Sequence, residues 1–266
     1  MFDDLNKYNI SPDALKDQFF LNDKKILQKT AEAANIQSND MVLEIGAGTG
    51  NLTKVLAQRA KKVIAFEIDE RFRPILDTLP KNVEIHYDNA WEFVQMHGKF
   101  KKRKEYNKVV CNPPYSFIEP FLHNLTFVEY EKVVLLVPVR FLKKTEKWGV
   151  FGSFFEVKVL FEVPKEKFYP VPKTNSVVID LIKFPDPIKT KNIGRFLRQY
   201  IYQHEGQLVK NSLMEGMIKY NRLVENKTLT KNEARKIITA SEIKSDLLES
   251  TPHNAEIYEL IDKAFK

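Results

Sequence analysis

From Asn22 to Thr145, short apolar runs rich in β-branched residues alternate with stretches whose apolar positions recur every three or four residues. The first pattern suits strands buried on both faces and the second suits amphipathic helices, so the alternation predicts a parallel α/β sheet. The candidate strands are Met41 to Ile45, Val63 to Phe66, Val83 to His86, Lys108 to Cys111 and Val133 to Val137. A first helix is expected to start with Asn22 as N-cap and to bury Ile26, Leu27, Thr30, Ala31 and Ala34. A second carries Leu52, Val55 and Leu56 on one face.

The rhythm then changes. Phe155 to Val163 and Ser176 to Ile182 read as two more strands joined by a Pro-rich connection, which predicts a hairpin-like antiparallel pair at the sheet edge. Phe184-Pro185-Asp186-Pro187 marks a boundary, because two prolines in so short a stretch disfavour both strand and helix. Beyond it, Ile193, Phe196, Leu197, Tyr200 and Ile201 form one helical stripe, and Val209, Leu213 and Met217 form another. The expected organisation is an α/β domain over residues 1–185 and a small helical domain over 186–266.

With 266 residues, 43% of them hydrophobic, the chain can bury a substantial core, which argues against wholesale disorder. No run approaches the length of a membrane span, and MFDDLNKYNI lacks the basic-then-apolar plan of a signal peptide; a cytoplasmic protein is expected. A single cysteine, Cys111, permits no internal disulfide and is expected to be a small buried hydrophobe at a strand end. The net charge of +7 modestly favours polyanionic partners. The densest charge run, Lys99 to Lys104, reads as a solvated loop, with RNA contact as the alternative.

Candidate chemistry collects at the strand ends. Glu44-Ile45-Gly46-Ala47-Gly48-Thr49-Gly50 joins a strand to a helix, where glycines tolerate positive φ and let backbone approach a ligand. Glu67 ends the next strand, placed to accept hydrogen bonds from both hydroxyls of a ribose. Asp88 and Asn89 follow the third strand and offer an acceptor or amide for an adenine amine. Ligands of open α/β sheets sit at the carboxyl ends of the strands, so these segments together predict an adenosine-containing cofactor.

Asn112-Pro113-Pro114-Tyr115 follows the fourth strand directly. An aromatic amine such as adenine N6 is a poor nucleophile because its lone pair is delocalised into the ring. Two acceptors on its N–H groups, the Asn112 side-chain oxygen and the Pro113 carbonyl, would draw the nitrogen toward tetrahedral geometry and free the lone pair. The prolines stiffen the loop, and Tyr115 is a candidate to stack on an extruded base. This chemistry requires no metal; positioning and electrostatics suffice beside a sulfonium cofactor.

These residues resemble the ribosomal RNA adenine N6-dimethyltransferases and their macrolide-resistance relatives. The resemblance rests on Gln18-Phe19-Phe20-Leu21, Glu44 to Gly50, Glu67-Ile68-Asp69, Asn112 to Tyr115, and Phe168-Tyr169-Pro170-Val171-Pro172-Lys173 followed by Ser176. It implies a Rossmann-like class I methyltransferase sheet with a C-terminal helical RNA-docking domain, S-adenosyl-L-methionine as cofactor, and RNA as partner. The implied function is methylation of a flipped adenine at N6, with ribosomal RNA or a ribosomal subunit precursor as substrate and the protein acting as a monomer. The implied cofactor contacts are Gln18, Leu21, Gly46, Gly48, Glu67, Asn112 and either Asp88 or Asn89, with Tyr115 and Phe168 holding the base. Position 113 is proline where the family usually carries leucine or isoleucine, and Phe19 stands where it usually has Asn or His. Glu205-Gly206-Gln207 replaces a segment usually rich in Arg and Lys. The other functions the loop can serve are methylation of DNA adenine or of a protein glutamine, and a non-catalytic role in ribosome assembly on the same fold.

Overall fold

The computed structural model describes residues 2–94, 105–145, 149–252 and 255–265, without the side chains of residues 2–4, 14, 115 and 144. The Lys99 to Lys104 run lies outside the described residues. Nine strands are present among them: β1 (Phe20–Leu21), β2 (Met41–Ile45), β3 (Lys62–Phe66), β4 (Val83–His86), β5 (Lys108–Cys111), β6 (Lys132–Pro138), β7 (Phe155–Val163), β8 (Phe168–Tyr169) and β9 (Ser176–Lys183). Seven form one sheet in the order β4-β3-β2-β5-β6-β9-β7, and β1 pairs with β8 in a separate two-stranded ribbon.

The first five strands of the large sheet run parallel, and β9 is antiparallel to β6. The α/β architecture is the one the apolar rhythm predicts. In β2, β3, β5 and β6 nearly every residue is buried, so they read as continuous apolar runs rather than alternating ones. Strand β7 takes the sheet edge beside β9 and alternates charge and exposure, with Glu156, Lys158 and Glu162 along it, which discourages edge pairing. A buried Lys108–Asp40 ion pair at 2.7 Å, with Asn107 bridging Asp40 and the Met41 N–H, aligns the starts of β2 and β5. Cys111 is fully buried, and burial pushes its thiol well up.

The chain leaves β2 for β3 and β4 on one side, then returns to β5 and β6 on the other. Strand order therefore reverses between β2 and β5, and a crevice opens at their carboxyl ends.

The first helix differs from expectation. It spans Lys24–Ala33 with Asp23, not Asn22, as N-cap; the Asp23 carboxylate accepts the Lys25 and Ile26 N–H groups. The Asn22 N–H is committed to the Lys167 carbonyl at 2.8 Å, continuing the β1–β8 ribbon. Leu27, Thr30, Ala31 and Ala34 are buried as predicted, while Ile26 is only partly so.

The chain forms two compact units, Met1–Phe141 with Val157–Ile182, and Leu142–Glu156 with Lys183–Lys266. The second contains helices Ile193–Gln203, Val209–Tyr220, Lys231–Thr239, Ser245–Leu248 and Ala255–Ala264. Its core includes Leu197, Ile201, Leu213, Met217, Ile257 and Ile261. Local signals define its helix starts: Asn192 accepts the Arg195 N–H, and Thr230 and Glu233 form a reciprocal capping box.

Candidate active site

A cleft of about 750 Å³ lies at the carboxyl ends of β2, β3, β4 and β5. Its glycine loop needs glycine. Gly46, Gly48 and Gly50 have φ of +77°, +55° and +70°, in the left-handed region that strains other residues. A Cβ at Gly48 would lie 2.7 Å from the Phe20 ring, and one at Gly46 would lie 3.1 Å from Pro114. The loop is thus pressed between β1 and the segment after β5.

Glu67 fixes this loop from the next strand. Its Oε2 accepts the Gly48 N–H at 2.7 Å and its Oε1 accepts the Asp69 N–H at 2.8 Å. The side chain is buried, and desolvation raises its pKa against the pull of those N–H groups. Each carboxylate oxygen carries two lone pairs, so both can still accept from a vicinal diol. Ile68 next to it is an exposed apolar residue on the same wall.

Asp69 is held far below the usual carboxylate range, chiefly by Arg71, despite burial. It also accepts Gln18 Nε2 at 2.8 Å. Glu44, behind the glycine loop, is fully buried; desolvation pushes its carboxyl up to about 8, with the nearby Glu67 charge acting in the same direction. Among the described residues its Oε2 has no partner, and the side chain lines a smaller pocket with Leu21 and Asn112.

After β4, Asp88 Oδ1 accepts the Asn89 N–H at 2.6 Å, and Asn89 Oδ1 accepts the Trp91 N–H at 3.0 Å. Both line the cleft. After β5, Asn112 Nδ2 donates to the Phe19 carbonyl at 3.2 Å, and Oδ1 has no partner among the described residues. Pro113 is buried, and Pro114 precedes the helix Tyr115–Leu125 with φ −54° and ψ 139°. Tyr115 opens that helix, but its side chain lies outside the described residues. Two residues on, Phe117 lines the cleft and meets Trp91 edge-on at 6.1 Å.

Of the residues expected from sequence, Gln18, Gly46, Gly48, Glu67, Asp88, Asn89 and Asn112 share this cleft. Leu21, Pro113 and Phe168 are not on its walls. Leu21 is buried beside a smaller pocket shared with Glu44 and Asn112. Phe168 is 5% exposed within the core, opposite Leu21 in the β1–β8 ribbon. Its pairing turns the ring inward, so the structure does not show it as a base platform. Ile68 and Phe117 were not anticipated; the one signal was an apolar residue between two acids in Glu67-Ile68-Asp69. Among the described residues no cluster of His, Cys, Asp or Glu is arranged to hold a metal ion.

The reversed strand order, the glycine loop backed by a strand-end acid, and an Asn-Pro-Pro-Tyr segment at the switch point define a Rossmann-like methyltransferase domain. Comparison with known proteins makes this specific. A model of the family described as ribosomal RNA adenine dimethylase matches residues 15–258. The chain is 30% identical over 275 residues to a probable ribosomal RNA small subunit methyltransferase A of Pyrococcus furiosus, covering 98% of this chain and 92% of that one. It is 33% identical over 224 residues to ribosomal RNA small subunit methyltransferase A of Thermotoga maritima, covering 79% and 77%. In fold it resembles a dimethyladenosine transferase from Plasmodium falciparum, with TM-score 0.57 at 22% identity over 91% of this chain and 95% of that one. The 23S rRNA methyltransferase ErmE gives 0.55 at 19%, over 92% and 99%. The chain belongs to the ribosomal RNA adenine dimethylase family, and is an rRNA adenine methyltransferase.

Proposed function

We propose that this protein transfers methyl groups from S-adenosyl-L-methionine to N6 of an adenine in small-subunit ribosomal RNA. The observation that carries the reading is Asn112. Its amide nitrogen donates to the Phe19 carbonyl, which leaves Oδ1 without a partner among the described residues, on a side chain that lines the cleft. An acceptor there suits a planar NH2 group.

The cleft fits the cofactor's chemistry. Glu67 offers acceptors for ribose hydroxyls, Ile68 an apolar face for a purine, and Asp88 or Asn89 a polar edge beyond it. The glycine loop presents backbone where no Cβ could stand beside Phe20. When bound, S-adenosylmethionine supplies an electrophilic methyl on a sulfonium. Asn112 Oδ1 accepts one N–H of the target amine and pulls its nitrogen toward tetrahedral geometry. The nitrogen becomes strongly acidic as its new bond forms, so the proton passes to water without a dedicated base.

The C-terminal segment, 186–266, serves as the RNA-docking domain in this reading. Arg222, Lys227, Lys231, Arg235 and Lys236 are all exposed on it, as phosphate contact requires. In this reading the protein acts as a monomer on cytoplasmic ribosomal precursors; no helix among the described residues is long and apolar enough to cross a membrane.

Mass spectrometry of rRNA nucleosides from cells with and without the protein tests the reading. Loss of N6-methylated adenosine in the deletion strain supports it. Unchanged rRNA with a lost mark on DNA adenine or a protein glutamine would assign the same loop to another planar amine or amide.

A further inference from the structure

The segment from Ser11 to Phe20 is fastened at two places. At one end, the Arg71 guanidinium donates Nη1–H to the Ser11 carbonyl at 3.2 Å while its Nε and Nη2 reach Asp69 Oδ1 and Oδ2 at 2.9 and 2.6 Å. Asp69 Oδ2 accepts Gln18 Nε2 at 2.8 Å, and Gln18 Oε1 accepts the Asp13 N–H at 2.8 Å. Lys16 adds a weaker ion pair to Asp69 at 3.7 Å. Both ends of the Gln18 amide are therefore consumed in holding the segment. At the other end the Phe19 carbonyl, one residue beyond Gln18, receives Asn112 Nδ2 at 3.2 Å.

This clasp has a consequence for Asn112. A side-chain amide can turn over, exchanging its oxygen for its nitrogen. A backbone carbonyl can only accept, so the Phe19 oxygen allows one orientation: nitrogen toward Phe19, oxygen available at the cleft. That selection works only while the Phe19 carbonyl stays where it is. Among the described residues the β1–β8 pairing at Phe20 holds one side of it, and the buried Asp69, itself tied through its own N–H to Glu67, holds the other through Gln18. Arg71 matches the flat carboxylate with two parallel donors and has a third for Ser11, which a lysine could not reproduce.

We propose that Asp69 and Arg71 are positioning residues for methyl transfer, seating Ser11–Phe20 so that the Phe19 carbonyl fixes the Asn112 amide with Oδ1 facing the target amine. The inference rests on the role given to Asn112 above. A clasp that merely stabilised the fold would shift melting temperature and leave turnover by the folded enzyme unchanged.

The test uses the full-length protein with Arg71→Met and Asp69→Asn. The Arg71 side chain is 45% exposed, so its replacement spares the core and keeps the experiment informative if Asp69→Asn folds poorly. At saturating cofactor and rRNA, kcat should fall about tenfold to a hundredfold, the loss typical of a reacting group misplaced by an ångström or so. KM for RNA should stay within about twofold, and hydrogen exchange over residues 11–20 should quicken. In an Asn112→Ala background, Arg71→Met should cause no further loss of the slow residual labelling, because residues acting through one group are not additive. Unchanged kcat in the single variants, or the same fold-loss in both backgrounds, overturns the positioning role. A wild-type protein that labels no RNA adenine would instead overturn the reading of Asn112, and the positioning role with it.

Discussion

The side-chain nitrogen of Asn112 donates to the backbone carbonyl of Phe19 across 3.2 Å, a contact between residues far apart in sequence. It spends the amide nitrogen on the backbone, and the residue lines the cleft. Asn112→Ala removes the acceptor and leaves the glycine loop and Glu67 in place. Turnover should fall roughly 100-fold or more, the scale seen when one preorganised polar group is removed from a reacting centre. Cofactor affinity, followed by calorimetry, should weaken only moderately. A variant that keeps its turnover but loses RNA affinity would assign Asn112 to docking.

Glu67 is predicted to act on the other substrate. Glu67→Gln keeps the shape but replaces one acceptor oxygen with an NH2 group that faces a backbone N–H, either of Gly48 or of Asp69. A buried N–H left unsatisfied costs about 1–3 kcal/mol. The cofactor dissociation constant should rise about tenfold or more, and the melting temperature should drop. Unchanged cofactor affinity would remove Glu67 from the ribose site.

Gly48→Ala tests the loop itself. Alanine at φ +55° costs about 1–2 kcal/mol from the left-handed backbone alone. Its Cβ would also sit 2.7 Å from the Phe20 ring, which edges onto Phe72 at 5.3 Å and has little room to retreat. Thermal denaturation should show a lower midpoint, by about 2–4 °C per kcal/mol in a chain of this size, accompanied by weaker cofactor binding. A variant as stable as the parent would mean the loop relaxes without glycine.

Glu44 gives a pH signature. The folded protein keeps its proton to about pH 8, whereas an unperturbed glutamate releases it near 4.5. Between these values the folded state binds more protons than the unfolded chain, so this group's stabilisation is complete below 4.5 and is lost as pH rises through 8. Glu67, also raised by burial, pulls the same way and is present in both proteins compared. Melting curves of Glu44→Gln should therefore decline less steeply over that window than those of the parent. Parallel curves would show that Glu44 is already ionised in the folded state.

The sequence disclosed the parts whose chemistry demands a residue type. Glycines at Gly46 and Gly48, an acid at Glu67 and the rigid Asn112 segment are visible because few other residues can stand there. Four of the five parallel strands, β2, β3, β5 and β6, were visible because burial on both faces leaves largely apolar runs. The β1–β8 ribbon was not: two-residue strands have no periodicity, and the pairing of Phe20 with Tyr169 is fixed by tertiary packing. That gap also hides the burial of Phe168, since an aromatic beside prolines reads alike whether its ring points into the core or out. It also explains the N-cap, because Asn22 and Asp23 are equally good caps until Asn22 is spent on Lys167. The ties of Gln18 to Asp69 and Asp13 are likewise invisible before the fold brings them together.

In the proposed reaction this cleft delivers a methyl group to N6 of adenine in ribosomal RNA. Incubating the purified protein with S-adenosylmethionine labelled in its methyl group and unmethylated small-subunit rRNA, then digesting to nucleosides, measures this directly. Label should appear in N6-methylated adenosine with the wild-type protein and stay near background with Asn112→Ala. Label confined to another nucleoside, to DNA or to protein, or equal labelling by the variant, would contradict the proposed reaction.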